Sequence, residues 1–150
     1  MFAEYKGKPY KIIKNGKQWE LLSKKSESVN DGFERDGKLY YRTVHDIAEL
    51  DDLYNIDISV MYDTGLEKVP TEWRLPINKE YFTETSVKLV FVEGLLPGWN
   101  VEDKNVCSLY IDISKISKAW LVRHSKKNEN IKEEISPLGL YKTYQQIVEV

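Results

Sequence analysis

Few residues in this 150-residue chain are of the types that do chemistry. The histidines are His45 and His124, and the single cysteine, Cys107, lies in an apolar run that continues to Ile111. A nucleophilic triad would bring a histidine beside a serine or Cys107 and a carboxylate, but no Gly-x-Ser-x-Gly elbow occurs. One cysteine and no His-x-x-x-His pair predict no zinc site. Since no glycine-rich phosphate loop occurs either, the sequence predicts no enzyme, no metal and no cofactor.

A second group of candidates is an acidic segment between Val44 and Glu67, which contains no lysine or arginine. Its spacing lacks the Asp-x-Asp-x-Asp-Gly loop of an EF-hand, so it does not predict a calcium site. Two interpretations stay open. The carboxylates form either a solvated face with a helix cap, or a docking face that imitates nucleic-acid phosphates and steers a cationic partner.

Aromatic residues in polar surroundings extend the docking interpretation, because tyrosine and tryptophan dominate the energetics of many protein interfaces. Tyr62 and Trp73 are of this kind, and two interpretations stay open: they lie at the surface, or they cover the core from its rim. The net charge of −2 argues against binding nucleic acid directly. The predicted partner-binding residues are Asp46, Glu49, Asp51, Asp52, Asp57, Tyr62, Asp63 and Trp73.

The elements that must position these residues are mostly strands. Asn15-Gly16 and Asp36-Gly37 predict two hairpins with type I′ turns. Apolar spacing over residues 47–54 predicts two helical turns, with Asp46 and Glu49 as a capping box. Strands are predicted over 56–62, 86–92, 106–111 and 118–123, an irregular middle around 70–79, a loop over 125–134, and a last strand or short helix over 140–150. The predicted fold class is α+β, predominantly antiparallel β, in one domain of residues 1–150.

An internal repeat is a further prediction. Gly32-Phe33 and Gly98-Trp99 are 66 residues apart, and the same spacing separates Asp46-Ile47 from Asp112-Ile113. Either this is chance similarity or the domain contains two similar β-rich halves, over 5–62 and 74–123.

The start of the chain and its hydropathy bear on location. The first residues lack the basic and apolar regions of a signal peptide, and no apolar stretch approaches the ~20 residues of a membrane span. A single cysteine fits a reducing compartment. We therefore expect a cytoplasmic protein with no membrane partner, and the oligomeric state stays open.

Several of these residues carry a family resemblance. Tyr5-Lys6-Gly7-Lys8 opens the chain, Gly32-Phe33 follows, and Glu49-Leu50 is followed by Leu53-Tyr54. The pattern resembles small cytosolic immunity proteins of Gram-positive bacteria, which are encoded beside polymorphic toxins. The resemblance implies binding without catalysis, in which the protein occludes the active surface of a cognate toxin. The alternatives are a small carboxylate-based hydrolase, which would show a deep pocket, and a structural or adaptor protein.

Overall fold

Antiparallel strands make up most of the chain. A computed structural model describes residues 1–150. The strands are β1 (Phe2–Tyr5), β2 (Lys8–Asn15), β3 (Gln18–Ser23), β4 (Glu34–Asp36), β5 (Leu39–Val44), β6 (Asp52–Met61), β7 (Glu72–Pro76), β8 (Ser86–Phe91), β9 (Asn100–Asp103), β10 (Val106–Asp112), β11 (Lys118–Ser125) and β12 (Ile131–Ile135). One α-helix, α1 (Leu140–Val148), follows them. The predominance of antiparallel β structure is confirmed, and the chain has no helix with the length and apolarity that a membrane crossing requires.

Two compact units divide the chain. The first contains residues 1–56, 123–131 and 150, and the second contains residues 57–122 and 132–149. In the first unit, antiparallel strands follow the order β6, β1, β2, β3, β5, β4. One face of this sheet covers a core of Ala3, Tyr5, Tyr10, Ile12, Leu21, Phe33, Val44, Leu50 and Leu53. The prediction of a single domain over residues 1–150 stays a prediction.

The two predicted hairpins form, with a different turn geometry. Asn15 pairs with Gln18, so the turn residues are Gly16 and Lys17 rather than Asn15 and Gly16. Only Gly16 has a positive φ, of 64°, which is the pattern of a type II′ turn. The hairpin at Gly37 repeats this pattern. The strand register sets the turn one residue later than the Asn-Gly signal indicates.

The helical prediction over residues 47–54 is wrong beyond its first turn. A short 3₁₀ helix spans Ile47–Glu49, and Asp46 and Glu49 form the predicted capping box. The chain then extends into β6, where Leu53 pairs with Ala3 of β1. Since both side chains are buried in the core, pairing with β1 outweighs the local helical spacing.

The second unit is built around two groups of strands. The later half of β6 pairs with β7, and β8, β10 and β9 form a three-stranded antiparallel sheet. Its buried residues include Ile58, Val60, Trp73, Leu75, Val87, Leu89, Cys107, Leu140 and Ile147. β7 lies where the sequence predicts an irregular middle, and α1 is one of the two alternatives for the chain's end.

The predicted loop over 125–134 is wrong in its second part, because β12 is a strand. One of its charged side chains makes contacts at the surface. Lys132 forms an ion pair with Glu72, and its Nζ lies 4.3 Å from the centre of the Trp120 ring. Charged residues are typical of edge strands, which is why this segment reads as a loop.

The predicted internal repeat is not confirmed. The strand order β3, β5, β4 in the first unit matches β8, β10, β9 in the second. The registers differ, however. Leu21 pairs with Arg42, whereas Val87 pairs with Ile111 and not with Ser108, the residue that the 66-residue spacing would require. The repeat therefore stays a prediction.

Candidate functional site

Asp52, one of the predicted partner-binding residues, is buried in the first unit and is fully engaged. Its Oδ2 accepts hydrogen bonds from Arg123 Nε at 3.0 Å and Nη2 at 2.5 Å. Its Oδ1 accepts from Ser125 Oγ at 2.5 Å and from the Leu53 amide at 2.8 Å. The residue is 3 % exposed, so Asp52 is buried within the fold, and its contact with a partner stays a prediction.

The guanidinium of Arg123 joins Asp52 to its surroundings. Its Nη2 also donates to Glu4 Oε2 at 3.2 Å, and its carbon lies 3.6 Å from the centre of the Tyr54 ring. The Tyr54 ring stacks on Phe2 at 5.8 Å between centroids. A planar cation over an aromatic ring, with two carboxylates at its edge, is an arrangement that a lysine would not reproduce.

The Asp52 contacts predict a dependence of stability on pH. Burial alone would raise the pKa of Asp52, but hydrogen bonds from Ser125, Arg123 and Leu53 outweigh it and hold the pKa below its ordinary value of 3.8. Because the folded protein favours the ionised form of Asp52, this carboxylate stabilises the fold at pH values above its unfolded-state pKa. The stabilisation is lost as the pH falls through the folded-state pKa. We expect urea unfolding at pH 3 to show less stability than at pH 6. The loss should be smaller in Asp52→Asn, and equal losses in the two proteins would contradict the assignment.

The predicted residues of the second unit divide between buried and exposed positions. Asp57 is buried and paired with Arg74. Trp73 is also buried and stacks on Trp99, so of its two interpretations the surface position is wrong. Asp63 is exposed, and its Oδ1 accepts from the Gly65 amide at 2.8 Å, while Tyr62 is half-buried.

The exposed predicted residues of the first unit form a surface that we name the acidic turn, residues 46–51. Asp46 Oδ1 accepts from the Ala48 amide at 2.9 Å, and Glu49 Oε2 accepts from the His45 amide at 3.0 Å. Asp51 Oδ2 accepts from a backbone amide of the β1–β2 turn at 3.1 Å. Each carboxylate caps a backbone N–H group and still faces solvent. The capping and docking interpretations of these residues are therefore compatible.

Side chains of the loop that follows β11 form hydrogen bonds with backbone carbonyl oxygens of the acidic turn. Lys127 Nζ donates to the carbonyl oxygens of Ile47, at 3.3 Å, and of Leu50. Asn128 Nδ2 donates to the Asp51 carbonyl oxygen at 3.3 Å. These bonds satisfy carbonyl groups that the short 3₁₀ helix leaves open. The backbone of the turn is thereby tied to the loop that follows β11.

A groove that the sequence analysis missed lies on the outer face of β2, β3, β5 and β4. It is open, has a volume of about 870 Å³, and includes Ile13, Glu20, Glu34, Asp36, Tyr41, Thr43 and His45 in its lining. The strand register explains the grouping, since Ile13 pairs with Glu20 and Glu20 with Thr43. Residues that are paired across strands share one face of the sheet.

Three carboxylates and two arginines line the groove, which leaves an excess of one negative charge. Glu20, Glu34 and Asp36 form no ion pair within residues 1–150. The two arginines that line the groove are bound to carbonyl oxygens instead: Arg35 Nε donates to Gly37 at 3.1 Å and Arg42 Nη1 to Gly32 at 3.4 Å. The carboxylates are left to solvent or to a partner.

His45 connects the groove to the acidic turn. The residue lines the groove, and its amide donates to Glu49 of the turn. By contrast, Cys107 is buried in β10, with its sulfur 3.4 Å from the Leu96 amide nitrogen. Within residues 1–150, no three histidine, cysteine or acidic side chains are grouped so that they could hold a metal ion. The groove and the acidic turn therefore lie next to each other in the first unit.

Comparison with known proteins places the chain in a family. The chain belongs to the family described as Uncharacterised conserved protein UCP033725, whose model matches residues 1–88. No curated protein and no solved structure matches the chain. The matched span contains the acidic turn and every residue that lines the groove, whereas Arg123 and Lys127 lie outside it. The family's name makes no link to immunity proteins, so the resemblance to them supports a proposal only.

Proposed function

We propose that this chain is a non-enzymatic, immunity-type protein that binds a cognate bacterial toxin and occludes its active surface. The observation that carries the proposal is the groove of the first unit, in which Glu20, Glu34 and Asp36 have no charged partner. Asp52 and Asp57, in contrast, are buried and paired within the fold. The unpaired carboxylates are therefore the ones available to a partner.

The charge of this surface favours a cationic protein domain as the partner. A toxin that cuts nucleic acid binds phosphates through lysine and arginine, and a carboxylate-rich surface complements those side chains. Electrostatic attraction would also speed association, which suits a protein that must capture a toxin early. Such a protein would act in the cytoplasm, where the toxin would reach its target.

The proposal is tested by using a tagged form of this chain to capture its partner. Binding of that partner is then compared between two variants of equal net charge. The double variant Glu20→Lys and Glu34→Lys reverses the groove, and Glu133→Lys with Glu134→Lys reverses two exposed carboxylates of β12. We expect the wild-type protein and the β12 variant to retain one stoichiometric partner with a toxin domain. The groove variant should bind that domain at least about tenfold more weakly, which corresponds to about 1.4 kcal/mol.

Two results would contradict the proposal. One is recovery of the bait alone, which would favour the enzyme or adaptor alternatives. The other is equal affinity of the groove and β12 variants for the toxin domain. Circular dichroism of each variant shows whether it is folded, so a binding loss is not mistaken for unfolding.

A further inference from the structure

The outer edge of β4 is an unpartnered strand edge beside the groove. β4 ends the strand order, and Glu34, Arg35 and Asp36 are all exposed. Asp36 pairs with Leu39 across a two-residue turn, so this pair is hydrogen-bonded, and the next pair, Arg35 with Tyr40, is not. The Arg35 N–H and C=O groups therefore point away from β5, toward the open edge.

The side chains of β4 give this edge a charge pattern. Successive side chains of a strand point to opposite faces, so the Glu34 and Asp36 side chains share one face of β4 and the Arg35 side chain points to the other. Arg35 also lines the groove, and its Nε donates to the Gly37 carbonyl oxygen. Both acidic residues line the groove. A strand added along β4 would place every second side chain over these carboxylates, beside Glu20 further into the sheet.

We propose that the β4 edge takes up an extended segment of the partner that carries lysine or arginine at every second position. This inference rests on the proposed function and specifies how the partner's chain is bound. Backbone hydrogen bonds to Arg35 would align the segment, and ion pairs with Glu34 and Asp36 would select its basic face.

The test uses two synthetic peptides of about eight residues and identical composition, a length that covers a typical strand. One alternates lysine and threonine, and the other has all lysines followed by all threonines. Only the alternating peptide can present a basic face while it is extended along β4. We expect it to bind the wild-type protein about five- to tenfold more tightly than the block peptide, measured by fluorescence anisotropy at low salt.

A pair of variants separates the backbone contribution from the side chain. Arg35→Pro removes the outward N–H group and leaves the hydrogen bonds to β5 intact, since proline is tolerated on edge strands. Arg35→Ala removes the same side chain and keeps the N–H group. We expect the preference for the alternating peptide to persist in Arg35→Ala and to disappear in Arg35→Pro. Amide exchange of Arg35 in the wild-type protein should slow when the peptide is added, which tests the proposal even if Arg35→Pro does not fold.

The outcomes distinguish this inference from the proposed function. If both peptides bind equally and Arg35 exchange is unchanged, pairing along β4 is wrong. If the double variant Glu34→Gln and Asp36→Asn then weakens the binding of both peptides, the carboxylates of the groove still act as a docking site, and the proposed function is not contradicted. If neither peptide binds the wild-type protein, the inference is overturned, and capture of the toxin remains a separate measurement.

Discussion

Replacing Asp52 with alanine is expected to lower the free energy of unfolding by about 3 kcal/mol. The change leaves the Arg123 guanidinium with only Glu4 as its carboxylate partner, and it leaves the Ser125 hydroxyl without its acceptor. Removing one member of a buried ion pair is costly because the remaining charge stays poorly solvated. The 26 % exposure of the Arg123 side chain keeps the cost at the lower end of the usual range. Urea unfolding at pH 7 measures it.

The neighbouring residue supplies a matched control. Asp51 is exposed, and its side chain accepts one hydrogen bond, from the Gly7 amide at 3.1 Å. Asp51→Ala is therefore expected to cost less than about 1 kcal/mol. Equal losses in the two variants would mean that the Arg123 cluster does not stabilise the fold. The contrast matters for binding studies, because a charge reversal at Asp52 would disrupt the protein rather than probe its surface.

Trp73→Ala is expected to lower the free energy of unfolding by about 3–5 kcal/mol, because it leaves a large cavity in the core of the second unit. The Trp73 ring stacks on Trp99 at 5.6 Å and meets Phe91 edge-on at 6.3 Å. Its Nε1 donates to the Tyr62 carbonyl oxygen at 2.9 Å. Thermal and urea unfolding both report the loss.

A more conservative variant separates packing from hydrogen bonding at this position. Trp73→Phe keeps an aromatic ring and loses the bond to the Tyr62 carbonyl oxygen, so its cost should fall well below that of Trp73→Ala. If Trp73→Ala instead kept full stability and lost the partner, the original surface interpretation of Trp73 would be correct and the packing described above would be wrong.

Local features of the fold were predictable, and long-range partners were not. The capping box at Asp46 and the glycine at each hairpin are set by neighbouring residues, so the sequence indicates them directly. The burial of Asp52 depends on Arg123, which is 71 residues away. An acidic residue in a row of acidic residues has no local signal that separates a buried ion pair from a solvated carboxylate.

The grouping of residues in the groove was also not predictable from the sequence. Glu20 lies on β3, whereas Glu34 and Asp36 lie on β4, and only the register of β3, β5 and β4 brings them to one face. Period-two alternation predicts which side chains of one strand share a face. It does not predict which strands are neighbours, because β4 pairs with β5 and β5 then pairs with β3. The acidic turn was found because its carboxylates are close together in the chain.

Co-expression of this chain with the captured toxin domain in bacteria tests the central claim most directly. The toxin domain alone should arrest growth, and the wild-type chain and its Glu133→Lys, Glu134→Lys variant should restore it. The Glu20→Lys, Glu34→Lys variant should fail to restore growth although it accumulates to the same level as a folded protein. Continued arrest in the presence of the wild-type chain, at protein levels above those of the toxin domain, would contradict the account.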